Sequence, residues 1–458
     1  MSARGLVVRE VQATPGQLLA LAAARPDLFP VLFDSAAAGA LGRYTILAAL
    51  PRAQLLLRGD GRLEQRGIQL RARDFLEALD EWWAAEDPEA EAGALPFQGG
   101  WIVYLGYELA ARIEPGLSLP ALPPEEICAL ALRVPAALVH DGQRCWLLAE
   151  PGEKGAEPHI LSALAALAEP AAEHAAPATT AVLEQNPARF RRAVQRAQEH
   201  IAQGDIYQAN LSRGWRLNLG ASADPATWYR RLRLANPAPF AAFATLPGMH
   251  LLCSSPERLV SVRAGVVETR PIAGTRARRG TAASDGSEKR ELLANPKERA
   301  EHVMLLDLER NDLGRICRAG SVAVSEFMVT ESYPHLHHIV SNVRGRLRAD
   351  VTPAAVLRAV FPGGTITGCP KYRCMQLIGE LEGEARGAYT GSLGYLNRNG
   401  DMDFNILIRT ATLRGAELNF RTGAGIVADS DWRRELEETR AKAVGMLRAF
   451  GATGGVRA

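Results

Sequence analysis

The chain has 458 residues, 47% of them hydrophobic and 23% charged, with a net charge of +2. Such a balance is ordinary for a globular protein and offers neither a basic surface for nucleic acid nor a strong field for an acidic partner. No apolar run reaches the length that crosses a bilayer, and the stretch from Met1 to Ala20 carries Arg and Glu among its apolar residues, unlike a secretory signal. The expectation is a cytoplasmic protein without membrane or nucleic-acid partners, in two domains or one large one. The 6 cysteines form no close CxxC pair and no Cys/His group with zinc spacing, so reduced, packed thiols are expected.

In chain order, segments 44–50, 54–57 and 101–105 are strand-like. Two more, 137–140 and Cys145–Ala149, flank Asp141-Gly142, a strong hairpin signal. From Glu150 to Leu183 the chain turns rich in Ala, Pro, Glu and Gly. It holds a short helical pattern at 160–167 and then a low-complexity run at 168–180 that reads as linker. The spacing predicts an amphipathic helix over 187–204, ended by Gly204. Long helices are predicted over 295–313 and 430–450, the latter with an apolar stripe of Leu436, Ala443, Leu447 and Phe450. Hairpin signals recur without strict βαβ alternation, so the fold class is α+β with large, mainly antiparallel sheets.

Dense polar segments concentrate in the second half. In Phe361-Pro-Gly-Gly-Thr365-Ile-Thr367-Gly368-Cys-Pro-Lys371 the glycines let the backbone approach an anion. The order after Gly368 is not that of a phosphate-binding P-loop, and Pro370 removes an N–H that such a loop needs. A tight turn before a helix starting near Pro370 is the plainer reading, and carboxylate binding is compatible with it. Glu298 and Glu301 share one helix face, and Glu435, Glu438 and Lys442 share another. Such pairs on two helices can hold Mg²⁺ jointly, and equally they can be solvated helix faces. Polar punctuation in strand-like context includes Ser255-Pro-Glu257, Arg270-Pro-Ile-Ala273-Gly274-Thr275, His337-His338, Ile408-Arg409-Thr410 and Gly423-Ala-Gly425. Arginine combined with glycines suits a dicarboxylate: Arg409 can grip one carboxylate bidentately while N–H groups near Gly425 take the other.

Taken together, SPE, PIAGT, KERAEHVMLLDLERND, GTITGCPK, GSLGYL, IRT, GAGIVADS and EETRAKA follow one another in an order that resembles the chorismate-utilising enzymes. So many ordered motifs are far more specific than one short match. The resemblance implies two large sheets facing each other and flanked by helices, with chorismate and Mg²⁺ bound together. It also implies a family-like N-terminal region at 1–167, a linker at 168–186 and a chorismate-binding catalytic region at 187–450. Carried over by motif, Glu301 and Glu438 would ligate Mg²⁺, with Glu298 and Glu435 around them. Tyr389, Arg409 and Gly425 would hold the enolpyruvyl carboxylate. Thr275, Thr365, His338 and Lys442 would line the ring beside Ala273 and Gly274, and Glu257 would be a candidate general acid.

The family divides by nucleophile. Members that add water carry a lysine base where this chain has Gln208, which cannot act as one; the aminating members have Gln. The aminating members themselves form two branches. The strings around Gln98, Glu108, Asn210, Pro237, His335 and Tyr389 are similar to one branch, whose best-known members carry lysine in the motif that reads Pro271-Ile-Ala273-Gly-Thr275 here. Ala273 is the residue of the other branch. That branch usually has a Leu-Leu-Glu-Ser element for a feedback inhibitor, and this chain reads Leu32-Phe33-Asp34-Ser35. A catalytically inactive chorismate-binding homologue is the remaining alternative, against which stands the intact set Glu257, Glu301, His338, Arg409 and Glu438. No stretch resembles a glutaminase nucleophile motif, so ammonia is expected from solution or from a separate glutamine amidotransferase subunit.

Overall fold

The computed structural model describes residues 6–37, 42–86, 93–153, 155–167, 181–219, 224–277, 296–332 and 336–452, and structural statements here concern these. Two large antiparallel sheets dominate. The 12-stranded one runs in the order Val7–Val11, Cys145–Ala149, Ala136–His140, Thr45–Ala49, Val31–Asp34, Phe240–Leu246, Met249–Ser255, Thr410–Arg414, Glu417–Ile426, Gln208–Asn218 and Ala181–Glu184. The short strand Gly368–Cys369 pairs with the start of Gln208–Asn218. The 11-stranded sheet runs Ile272–Ala277, Leu336–Arg346, Val266–Thr269, Arg258–Arg263, Met402–Asn405, Ser392–Asn397, Gly100–Leu105, Ile127–Val134, Ala53–Arg58 and Leu63–Arg66, with Ala323–Ser332 on Leu336–Arg346.

The central strands of both sheets are covered on two faces, and their sequences show it. Gly100–Leu105 is buried throughout. Its side chains alternate, as strand geometry requires. Ile102 and Tyr104 pack with Ile46, Ala48, Val139 and Leu251 of the facing sheet. Trp101, Val103 and Leu105 point the other way, to a core shared with helices Phe75–Ala84, Pro296–Gly314 and Pro353–Val360. The first sheet is covered on its outer face by helices Pro15–Ala24, Ala156–Ala165, Pro225–Ala235 and Trp432–Ala449. The α+β architecture with two facing sheets flanked by helices is therefore what the chain forms.

Local signals hold well. Asp141 and Gly142 turn the hairpin between Ala136–His140 and Cys145–Ala149, with Gly142 at φ 95°. The helix predicted over 187–204 is Pro187–Ala202, capped by the Asn186 side chain, and Gly204 follows at φ 82°. The last helix starts at Trp432, where Asp431 accepts from the Arg433 and Arg434 N–H groups. The helix predicted at 160–167 begins earlier, as Ala156–Ala165. Of the linker stretch, 168–180 lies outside the described residues. Ala181–Glu184 is an edge strand, anchored because buried Glu184 pairs with Arg213 and Arg440. All the cysteines are free thiols. Among the described residues no helix is long and apolar enough to cross a membrane.

Candidate active site

The site grows from strand ends and turns. Met249–Ser255 ends at Ser255, whose hydroxyl donates to the Ile406 carbonyl at 2.5 Å and accepts from the Glu257 N–H at 3.2 Å. Ile406 N–H in turn donates to the Glu257 carbonyl. This clamp fixes the Ser-Pro-Glu turn and turns the Glu257 side chain inward, where it is 5% exposed. Glu257 Oε1 accepts from Thr365 Oγ1 at 2.8 Å and, more weakly, from the Ile272 N–H at 3.5 Å. Burial pushes the carboxyl up to about 7, against the pull of Thr365, the Ile272 N–H, Lys442 and Arg409. Glu257 can therefore carry a proton near neutral pH.

Thr365 stands in the turn Gly364–Ile366, which leads into Gly368–Cys369 and then the helix Lys371–Glu382. That helix begins just after Pro370, as the sequence predicts. Gly368 adopts φ 133°, and a Cβ there would strike the Gln208 carbonyl, so only glycine lets the loop join the Gln208–Asn218 strand.

Gln208 is 8% exposed, and its Oε1 has no hydrogen-bond partner among the described residues. Room for its side chain is left by a glycine on the paired strand: Gly425, opposite Asn210 in register, would with a Cβ collide with Gln208 Nε2. A Cβ on Gly423 would stand 2.5 Å from the Tyr389 hydroxyl and 2.6 Å from Asn210 Oδ1. The glycines of Gly423-Ala-Gly425 thus leave room for the side chains of Gln208, Asn210 and Tyr389 on one face. Lys442 closes this side, donating to the Gly423 carbonyl at 3.0 Å and pairing with Glu438 at 2.7 Å.

Arg409 is half-buried, and its guanidinium donates no hydrogen bond to any described residue. Burial pulls its pKa down and the Glu257 charge opposes this; a guanidinium stays charged regardless. Arg409 sits at φ 48° and Thr390 at φ 62°, and the Thr390 N–H bonds the Leu407 carbonyl two residues before Arg409. Two left-handed non-glycine residues side by side are strained backbone of the kind that gathers at binding sites.

Of the remaining candidates, His338 is 3% exposed and lies opposite Thr275 in the register of Ile272–Ala277 with Leu336–Arg346. The side chains at 273–277 and at Glu298 lie outside the described residues. Glu301 is half-buried on Pro296–Gly314, and Glu435 is half-buried one turn before exposed Glu438 on Trp432–Ala449. Among the described residues no group of three or more His, Cys, Asp or Glu is arranged to hold a metal. A cavity of about 500 Å³ is bordered by Tyr389, Arg386, Thr410 and Arg421, but Glu257, Thr365 and Arg409 do not line it.

Two supports escaped the sequence reading. Arg386 is 5% exposed and stacks on Tyr389 at 5.5 Å and on Tyr107 at 4.8 Å, bonded to Glu382 and to the Asn210 and Ile366 carbonyls. It sets the plane of Tyr389. Lys371 pairs with Asp312, joining the Gly-rich turn to the Pro296–Gly314 helix. A signal existed for each: Glu382 and Arg386 are four apart, and Lys371 closes the glycine-rich string.

The family model for chorismate binding enzymes matches residues 31–448. The chain is 40% identical over 446 residues to aminodeoxychorismate synthase component 1 of Bacillus subtilis, covering 92% of this chain and 91% of that protein. It is 47% identical over 261 residues to anthranilate synthase component 1 of Aquifex aeolicus, covering 57% of this chain and 52% of that one. The crystal structure of anthranilate synthase component I from Streptococcus pneumoniae superposes with a TM-score of 0.79 at 33% identity, over 88% of this chain and 92% of that one. The chain belongs to the chorismate-binding enzyme family. It is a chorismate-utilising enzyme.

Proposed function

We propose that the chain is an aminodeoxychorismate synthase. It aminates chorismate to 4-amino-4-deoxychorismate with ammonia from a separate glutamine amidotransferase subunit, on the route to 4-aminobenzoate and folate. The observation that carries an aminating reading is Gln208: a buried amide, with its oxygen unpartnered, stands where a water-adding relative needs a base. The similarity of the strings around Gln98, Glu108 and Asn210, and a relative of that activity aligned over 92% of the chain, support this branch.

In this reading Arg409, Tyr389 and the N–H groups near Gly425 hold the enolpyruvyl carboxylate; the unpaired guanidinium supports this. Glu257 donates its proton to the departing hydroxyl, Gln208 orients the incoming nitrogen, and Thr275, Thr365, His338 and Lys442 line the ring. Glu301 and Glu438 would hold Mg²⁺, with Glu298 and Glu435 around them. The donor chemistry fits, since all are carboxylates and Glu438 already holds one cation, the Lys442 ammonium. Bound there, the ion would supply positive charge to the ring carboxylate.

Ala273 favours a second reading, anthranilate synthase component I of tryptophan biosynthesis, and the 47% identity to such a protein points the same way. Product identification decides. The protein, chorismate, Mg²⁺ and an ammonium salt are expected to yield a product that an aminodeoxychorismate lyase converts to 4-aminobenzoate. Anthranilate as the main product would transfer the assignment to the second reading.

A further inference from the structure

A second buried carboxylate lies beneath the Gly364–Ile366 turn, and the roles above leave it unused. Glu309 projects from the Pro296–Gly314 helix and is 6% exposed. It stands in the buried stripe of that helix, between His302, Leu305 and Leu306 on one side and Leu313 on the other. A Cβ at Gly364 would stand 3.2 Å from Glu309 Oε1 and 2.5 Å from Leu308 Cδ2, so glycine lets the turn rest directly on the helix. The next residue in the turn, Thr365, donates to Glu257 Oε1 at 2.8 Å. Two buried carboxylates therefore flank one two-residue step of backbone.

The charges around them do not neutralise the pair. Lys371 is committed to Asp312 and also donates to the Val360 carbonyl at 3.3 Å. Asp312 faces Arg315 and Glu114 besides. On the substrate side, Lys442 and Arg409 act on Glu257, but neither hydrogen-bonds it, and Lys442 is held by Glu438 and Gly423. Burial pushes Glu309 up to about 7; the Asp312 charge adds to this, Lys371 and then the Thr269 hydroxyl oppose it, and the Glu257 charge adds the smallest contribution.

We propose that Glu309 is a positioning residue for the catalytic proton: Glu257 and Glu309 share one negative charge across the Gly364–Thr365 step, so that Glu257 meets the substrate as an acid. The proton passes from Glu257 to the departing ring hydroxyl. Ammonia forms a C–N bond to the ring diene as the C–O bond breaks with its electron pair on oxygen; water leaves, and Glu257 remains as the carboxylate until the proton given up by the new ammonium group, or one from solvent, restores the acid. Interacting carboxylates lose their protons in two steps that belong to the pair. The proposal rests on the reading of Glu257 as general acid.

The test is the pH dependence of kcat/KM for chorismate in wild type, Glu309→Gln, Glu309→Asp and Glu257→Gln. In wild type the alkaline limb is expected to spread over two steps. In Glu309→Gln it should collapse to one step, shifted to lower pH by about one unit, because a like charge has been removed. Glu309→Asp should restore the spread limb. A Glu309→Gln limb that coincides with wild type overturns the proposal, even if turnover is lowered. Loss of activity in Glu257→Gln keeps the general-acid reading separate; retained activity with an unmoved limb would sink that reading instead. Charge sharing itself is read without turnover, from thermal unfolding at about pH 6 and about pH 8 of wild type, both Gln variants and the double variant. Each substitution removes a buried carboxylate that destabilises the fold as it ionises, so each should raise the melting temperature more at the higher pH. With a shared charge the two gains are less than additive; additive gains overturn the proposal.

Discussion

Glu257 and Glu382 are buried to the same degree, each 5% exposed, yet their surroundings push them in opposite directions. Glu382 accepts from Arg386 at 2.6 and 3.1 Å, from Arg421 at 3.1 Å, and from the Ser212 N–H and hydroxyl at 2.8 and 2.9 Å. The two guanidiniums outweigh burial and hold it below the usual carboxylate range. Glu257 has a hydroxyl and one long N–H contact, and burial wins. One cluster is complete: its charges are matched inside the protein, and it holds Tyr389 in place. The other is incomplete, with Glu257 short of cations, Arg409 short of anions and Gln208 Oε1 short of a donor. Buried polar groups left unmatched cost stability, and under the function proposed above the ligand's own groups would match these.

Breaking each member of this contrast should separate function from stability. Glu257→Gln is expected to lower kcat by about 10² to 10⁴, the span that general acid catalysis contributes. Its melting temperature at about pH 8 should equal or exceed wild type, because a neutral amide replaces a carboxyl that ionises in a buried place. Marked destabilisation, or near-normal turnover, would erase the distinction. Glu382→Gln should do the reverse. It leaves Arg386 buried without its counter-charge and Arg421 with Glu384 alone, and removing one partner of such a cluster costs about 3–5 kcal/mol. Denaturant unfolding measures this directly; a loss below about 1 kcal/mol, the worth of a surface pair, would show that the cluster is not what fixes Tyr389.

The sequence made one half of this contrast legible and hid the other. Glu257, Arg409 and Gly425 announce themselves as polar or glycine punctuation inside strand-like runs, where an apolar residue would be expected, and Thr365 stands in the glycine-rich string before Lys371. Hairpins and helix ends are equally local, as Asp141-Gly142 and Gly204 show. What was not legible was long-range pairing: nothing in Val31–Asp34 says that it lies beside Phe240–Leu246, or in Gly100–Leu105 that it lies beside Ser392–Asn397. Register between distant strands leaves no local mark. Glu309 was hidden for a related reason. It follows Asp307 and precedes Arg310 in a charged string, and only its three-to-four spacing with Leu305, Leu306 and Leu313 betrays that it points inward.

Arg409→Lys sharpens the incomplete cluster at its cationic end. The ammonium keeps the charge but loses the fork that takes a carboxylate through two parallel bonds. A charged hydrogen bond is worth about 1.5–3 kcal/mol, so kcat/KM for chorismate should fall by roughly 10- to 100-fold. The fold should be little affected, since the guanidinium has no described partner to lose. Unchanged kinetics would remove Arg409 from the site.

The smallest expected effect is that of Thr365→Val, which replaces the hydroxyl at nearly constant volume. Thr365 Oγ1 donates to Glu257 Oε1 at 2.8 Å, and that bond stabilises the ionised carboxylate. Without it the anion is harder to form, so the Glu257 pKa rises further above its unfolded value. The acid form then persists to higher pH, and the alkaline limb of kcat/KM should move up. One neutral hydrogen bond contributes about 0.5–1.5 kcal/mol, and one pH unit corresponds to about 1.4 kcal/mol, so the shift should be at most about one unit. Its sign matters more than its size: it is opposite to the shift expected for Glu309→Gln, because one change removes a donor and the other a like charge. A kcat/KM profile for Thr365→Val that moves down, or not at all, would mean that Glu257 does not govern the limb.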